Sequence, residues 1–209
     1  YEGYSKAVKL VMGEAKKGQL KGIHGPVAGL LHVPDACTVA IETALGGAMQ
    51  HIVVEREEDG KAAIQYLKRR DGGRSTFLPL TSMRPSDFRD QGVRQEPGFV
   101  GLGNELIQFD AQYERVFSNL LGRTVVAEDL DRAIAMARKY GYRFKIVTLD
   151  GQVLNPGGSM TGGSVSRSAG ILSRANELER LAQQRTGVAQ QLADAAHAME
   201  EAKREATAA

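Results

Sequence analysis

From Leu172 to the C-terminus the chain carries apolar residues at heptad spacing: Leu178, Leu181, Val188, Leu192, Ala195, Met199 and Ala202 fit one frame, interrupted only by Arg185. The other positions are mostly Glu, Lys, Arg, Gln and Ala. A helix of roughly 30 residues exceeds the usual limit of about 25 without a partner or a supercoil. At the other end, Tyr1, Tyr4, Val8, Val11 and Ala15 recur at alternating three- and four-residue steps, which predicts a second helix of coiled-coil spacing over 1–17. The chain is therefore expected to enter and leave a globular body through an antiparallel coiled coil, with Tyr1 and Ala209 as cut ends of longer arms.

Between these segments the periodicity changes. Val27–Val33 reads as a short buried strand, Asp35–Gly47 as a helix capped by Asp35, and His51–Glu55 as a strand. A helix stopped by Gly72 and Gly73 follows, then a strand over Ser75–Leu80. Thr81–Asn104 is rich in Pro, Gly and charge and reads as a linker. The first pattern then returns in shortened form. Leu45 and Gly46 answer to Leu121 and Gly122, Val53 and Val54 to Val125 and Val126, and Ala63 and Ile64 to Ala133 and Ile134. The expected fold class is α/β with mixed α+β sheets: two small subdomains flanked by the coiled coil, divided as 1–17, 18–98, 99–171 and 172–209.

Several function classes are excluded by what the chain lacks. No apolar run of about 18 residues and no signal sequence is present, so a cytoplasmic protein without membrane contact is expected. Cys37 is alone, and His24, His32, His51 and His197 have no metal-ligand spacing. A phosphate-binding loop needs lysine where Ser164 stands after Gly158 and Gly163, and Leu106 stands where a dinucleotide fingerprint begun by Gly101 and Gly103 needs glycine. No Gly-x-Ser-x-Gly elbow is present, so no catalytic residue is expected. The alternative that stays open is a small α/β domain that binds a ligand or nucleotide through its glycine loop.

Glycine is in excess, at 24 of 209 residues. Two pairs, Gly157–Gly158 and Gly162–Gly163, follow a predicted hairpin with a two-residue Asp150–Gly151 turn. Glycines there strip side chains from one edge, and such an edge invites a strand from a second chain.

The stretch Asn155–Ser164 after Arg143–Pro156, with coiled-coil helices on both sides, resembles the hinge domain of the SMC (structural maintenance of chromosomes) family. Gly25–Val33, Ala40–Glu55, Ala63–Leu80 and Ser118–Leu130 are similar to bacterial members in order and spacing, so the likeness runs from about Gly18 to Arg174. It implies a two-fold, ring-like homodimer joining two chains of a condensin-type ATPase in chromosome condensation and segregation, associated with the bacterial nucleoid. It places ATP, magnesium and accessory subunits at distant heads, with no cofactor in this segment. It assigns Gly157, Gly158, Ser159, Thr161, Gly162 and Gly163 to the dimer contact. It also implies binding of single- or double-stranded DNA without sequence specificity. Here the chain departs from relatives with a lysine run after the glycines: Arg167 and Arg174 stand there, and Lys6, Lys9, Lys16, Lys17 and Lys21 crowd the other arm.

Overall fold

The structure is a computed structural model and describes residues 3–164 and 170–208. Helix α1 (Lys6–Lys16) starts at Ser5, whose Oγ accepts from the Val8 amide at 3.4 Å. Its buried residues, Ala7, Val8, Val11 and Met12, form one stripe. That stripe does not face a coiled-coil partner. It packs with Leu20, Ile52, Val54, Ala63, Tyr66 and Leu67, which makes α1 a core helix of the first half of the body. Of the expected stripe, Tyr1 lies outside the described residues, while Tyr4 and Ala15 are partly buried against the core.

Two successive segments then run through the same elements in the same order, apart from an extra 3-10 turn (Gly46–Gln50) between α2 and β3 of the first. The first is β1 (Ile23–Pro26), a 3-10 turn (Val27–Gly29), β2 (Leu31–His32), a 3-10 turn (Asp35–Cys37), α2 (Thr38–Leu45), β3 (Ile52–Val54), α3 (Glu57–Arg69) and β4 (Phe77–Pro79). The second is β5 (Phe99–Leu102), a 3-10 turn (Gly103–Glu105), β6 (Gln108–Phe109), a 3-10 turn (Ala111–Tyr113), α4 (Glu114–Leu121), β7 (Thr124–Ala127), α5 (Leu130–Lys139) and β8 (Lys145–Thr148). β1 pairs antiparallel with β3, and β5 with β7, each with a bulge after its first residue; β3–β4 and β7–β8 are parallel. Gly25 faces Val53 and Gly101 faces Val126, so Val53 answers to Val126 and not to Val125. The helix N-caps Arg56 and Asp129 keep that offset, which brings Ala63 level with Met136 and corrects its expected match to Ala133. Leu45 and Leu121 do correspond, each closing its helix. β2 and β6, the same element in each half, pair antiparallel with His32 opposite Gln108. That register relates the halves by an approximate two-fold passing between those two residues.

Among the described residues the strands form a three-stranded sheet β1-β3-β4, the β2-β6 ribbon, and a five-stranded sheet in which β9 (Val153–Leu154) and β10 (Met160–Thr161) extend the second half: β10-β9-β8-β7-β5. α2 and α4 carry the central core, where Ile41, Phe117, Leu121, Val126 and Val147 are fully buried. A second cluster lies under α5 and a third under α1 and α3.

Other local expectations change. Val27–Val33 is divided between a 3-10 turn and β2. Asp35 opens a 3-10 turn, and α2 begins after Cys37 without a side-chain cap. The helix stop at α3 lies at Asp71, in the left-handed region (φ 47°), where Gly72 donates to the Leu67 carbonyl at 2.9 Å. The segment 81–104 is packed: it contains a 3-10 turn (Gln91–Gln95) and β5, and buries Phe88 and Val93 against α5. Such a segment lacks periodicity because it contributes single anchors and no continuous face. The hairpin after β8 has three loop residues, Leu149–Gly151, since the Thr148 amide donates to the Gln152 carbonyl at 2.9 Å.

Helix α6 (Ile171–Ala208) runs for 38 residues. Leu178, Leu181, Val188, Leu192 and Met199 of its heptad frame are 48–70% exposed. Its first turns dock on the first half through Asn176, whose Nδ2 donates to Val33 O (3.1 Å), Asp35 Oδ1 (3.1 Å) and Thr38 Oγ1 (3.2 Å). The start of the chain lies beside them, since a Cβ on Gly3 would be 3.4 Å from Arg174 Nη1 and 3.7 Å from Ile171 Cγ1. Among the described residues no helix is long and apolar enough to cross a membrane.

Candidate interaction surfaces

After β9 the chain turns through Pro156, Gly157, Gly158 and Ser159. Gly157 (φ 85°) and Gly158 (φ 99°) adopt conformations that side chains disfavour, so the reversal into β10 depends on them. Gly157 donates to Tyr142 O (2.9 Å), Gly158 to Asn155 O (3.0 Å) and Asn155 to Ser159 O (2.8 Å). β10 is the edge strand, with Met160 opposite Leu154 and Thr161 opposite Val153. Because Ser159 bonds inward, the alternation of an antiparallel ladder turns the backbone groups of Met160 and Gly162 outward. Residues 156–164 are all exposed, and Met160 is 56% exposed.

The sequence did not single out Gln152, which holds the end of this edge. Its Oε1 accepts from the Gly163 amide (2.8 Å) and its Nε2 donates to the Gly163 carbonyl (3.1 Å). One side-chain amide thereby mimics a backbone neighbour. The only sequence signal is its place just after the Asp150–Gly151 turn. A Cβ on Gly162 would lie 2.3 Å from Gln152 Oε1, so the clamp requires glycine there unless Gln152 moves.

Gly157, Gly158, Ser159, Thr161, Gly162 and Gly163 thus come together on one exposed edge. The basic residues divide. Lys6, Lys9, Lys16 and Lys17 are exposed on α1, opposite its buried stripe, and Lys21 is exposed beyond its end. Arg174 stands at the start of α6 beside Gly3, whereas Arg167 lies outside the described residues. Asn176 was also missed, since its acceptors Val33, Asp35 and Thr38 lie far away in the sequence.

Several polar groups elsewhere are structural. His24 bridges the halves, with Nδ1 3.0 Å from the Tyr113 hydroxyl and Nε2 2.8 Å from Glu55 Oε2. Burial, with help from Asp110 and Glu55, pushes the Tyr113 hydroxyl above its ordinary range. Burial also raises the Cys37 thiol, the opposite of what a nucleophile needs. Arg94 grips Glu105 with two bonds of 2.8 and 2.6 Å and holds its carboxyl below the usual range. Among the described residues, no group of three His, Cys, Asp or Glu side chains could hold a metal ion.

A duplicated α/β body with a bare sheet edge, from which a long heptad helix emerges, has the outline of an assembly module carried on a coiled coil. The family described as SMC proteins Flexible Hinge Domain matches residues 20–137, and the chain belongs to it. The chain is 41% identical over 183 residues to the chromosome partition protein Smc of Bacillus subtilis (strain 168), covering 86% of this chain and 15% of that protein. It is 39% identical over 170 residues to that of Methanocaldococcus jannaschii, covering 79% of this chain and 14% of the other. Among solved structures, an asymmetric dimer of the Geobacillus stearothermophilus SMC hinge domain is similar at TM-score 0.83 and 42% identity, covering 92% of this chain and 78% of that one. The Pyrococcus furiosus SMC protein hinge domain is similar at TM-score 0.65 and 31% identity, covering 78% and 81%. The chain thus spans about one sixth of the length of the curated relatives it matches.

Proposed function

We propose that this chain is the dimerisation hinge of a chromosome-partitioning SMC protein, with residues 18–98 and 99–171 as its two subdomains. One observation carries the reading: β10 is an exposed edge strand bounded by glycines, with the Met160 and Gly162 backbone turned outward. β4 of the three-stranded sheet, which like β1 and β5 has no neighbour on its outer side among the described residues, is the edge we assign to receive it. If β10 of each chain meets β4 of the other, a C2 dimer forms two equivalent contacts and closes a ring. The Geobacillus relative was solved as an asymmetric dimer, which supports the pairing of two hinge chains. ATP hydrolysis, with its magnesium and accessory subunits, belongs on this reading to head domains elsewhere in the longer protein. DNA is contacted where the chain start and α6 converge, through the α1 lysines and Arg174. The rival reading, an anion-binding glycine loop, is disfavoured because the amides of Gly157, Gly158 and Gly163 already donate within the chain.

Sedimentation equilibrium tests the seam. Met160→Pro deletes an outward N–H that no bond among the described residues uses, a substitution edge strands tolerate. Gly162→Leu with Gly163→Leu adds bulk along the same edge. Both are expected to give folded monomers, and a full dimer from either overturns the assignment of the contact.

A further inference from the structure

The charge of this molecule is concentrated on one face. The whole chain is only +2, yet Lys6–Lys17 is net +3 and Lys61–Arg74 is net +4, so everything else is net −5. The fold brings these two stretches together. Tyr66 of α3 donates to Glu14 of α1 at 2.8 Å, and Lys6 Nζ reaches the Asp71 carbonyl at 3.3 Å. A Cβ on Gly72 would lie 2.9 Å from Leu10 Cδ1, so glycine lets the end of α3 close against α1. Among the described residues Lys68, Arg69, Arg70 and Arg74 make no salt bridge, and all are exposed.

We infer that the C-terminal end of α3 and the turn after it, Lys68, Arg69, Arg70 and Arg74, form with the α1 lysines a single binding face for the phosphate backbone of duplex DNA. This rests on the reading of the chain as a DNA-contacting hinge, and extends the footprint from the α1 lysines to a second limb. At 3.6 residues per turn, Lys6, Lys9, Gly13, Lys16 and Lys17 fall within an arc of about 100° opposite the buried stripe. They extend along about 16 Å of helix, the reach of about five successive phosphates of one strand. Gly13 lies within this row with open space where a Cβ would stand, so no packing contact requires glycine there. Its bareness lets a strand lie close between flanking lysines. The α3 limb sits alongside, where the same duplex presents further phosphates. The form of DNA follows from the aromatics. Tyr66 is buried with its hydroxyl engaged and Arg70 over its ring, and Tyr4 is half-buried, so this face offers no exposed ring on which single-stranded bases could stack.

The test is fluorescence anisotropy on the 209-residue chain with a random-sequence duplex and the matching single strand, across a salt series. The α3-limb variant, Arg69→Gln with Arg70→Gln and Arg74→Gln, is compared with the α1-limb variant, Lys9→Gln with Lys16→Gln and Lys17→Gln. Three lost phosphate contacts are expected to weaken duplex binding about 10-fold or more and to reduce the salt slope by about 3. The corresponding Arg→Lys triple variant keeps the charge and is expected to retain most binding. Should the Gln triple fail to fold, Arg69→Gln with Arg74→Gln spares the Tyr66 contact. Loss on the α1 limb with none on the α3 limb overturns the inference and leaves DNA contact by the hinge standing. No loss on either limb overturns both. Tighter binding of the single strand than of the duplex overturns the assignment of the ligand.

Discussion

Removing the Gln152 side chain separates the stability of the body from the readiness of its edge. Gln152→Ala deletes two hydrogen bonds to Gly163, at 2.8 and 3.1 Å, both on the exposed side of the sheet. Water replaces them readily, so the monomer is expected to lose about 1 kcal/mol or less. The edge loses more, because Gly162 and Gly163 are then held by the chain on one side only. Refixing a residue costs about 1–2 kcal/mol, so re-ordering even part of this pair adds about 2 kcal/mol to each seam. A C2 dimer contains the seam twice, which gives about 4 kcal/mol, or nearly a thousandfold in dimer Kd. Gln152→Glu is expected to be worse than alanine, since a carboxylate oxygen would face the Gly163 carbonyl where Nε2 now donates. Light scattering across a concentration series reads the dimer and thermal melting reads the monomer. A dimer Kd within threefold of the parent, with Gln152→Ala folded, refutes the claim that this clamp prepares the edge. A large drop in Tm would instead make Gln152 a stability residue.

Three further outcomes follow from the same geometry. Asn176→Ala strips one amide from three acceptors, including the Val33 carbonyl, and is expected to cost about 1–3 kcal/mol and to speed hydrogen exchange in the first turns of α6; unchanged exchange there would mean that the other contacts of these turns, Leu172 in the core, Ser173 on Glu42 and Glu179 on His32, suffice to anchor the arm. Glu105 is held below its ordinary value of 4.5 by Arg94, so its contribution is present above about pH 4.5 and is lost as pH falls through the lower folded value. The pair is partly exposed and worth about 1 kcal/mol at most; Glu105→Gln is expected to lower stability at neutral pH and to flatten the acid limb, and a parallel acid limb counts against it. Gly13→Ala fills open space on a helix and is expected to raise Tm by about 2–4 °C, which a melting curve checks.

The repeat was visible in sequence because each half presents the same local signals: a helix ending in Leu, a short Val-rich strand and an Ala-bearing helix. Its residue matching slipped by one at Val53 because spacing between similar short elements does not fix register. Register is set by the bulges at β1 and β5, which depend on cross-strand pairing at Gly25 and Gly101. The glycine edge was legible because turn chemistry and side-chain absence are local properties of 156–163. Gln152 was not, because its partner is eleven residues away and nothing about a glutamine announces a bond to a backbone. The α1 stripe misled for a related reason. Three- and four-residue spacing states that one helix face is apolar, but Val8 and Val11 serve a core and a coiled coil equally well, and only the position of α3 decides between them.

On the proposed reading, the near two-fold between the halves explains how a duplicated chain acquires a directional seam. Where the first half ends its sheet at β4, the second continues past the equivalent strand β8 into β9 and β10. The two halves are therefore alike in core and unlike at their rims: one ends in an open strand, the other in a strand stripped by glycine. Within one chain the β2–β6 ribbon joins the halves across the approximate axis. On the proposed reading, a second copy satisfies both rims at once, and the additional hairpin after β8 is the element that turns a duplicated domain into a ring-forming one. Deleting Gly157–Thr161 and closing the loop with a single Gly is thus expected to leave the central core folded and the dimer absent, a result that circular dichroism and sedimentation read independently.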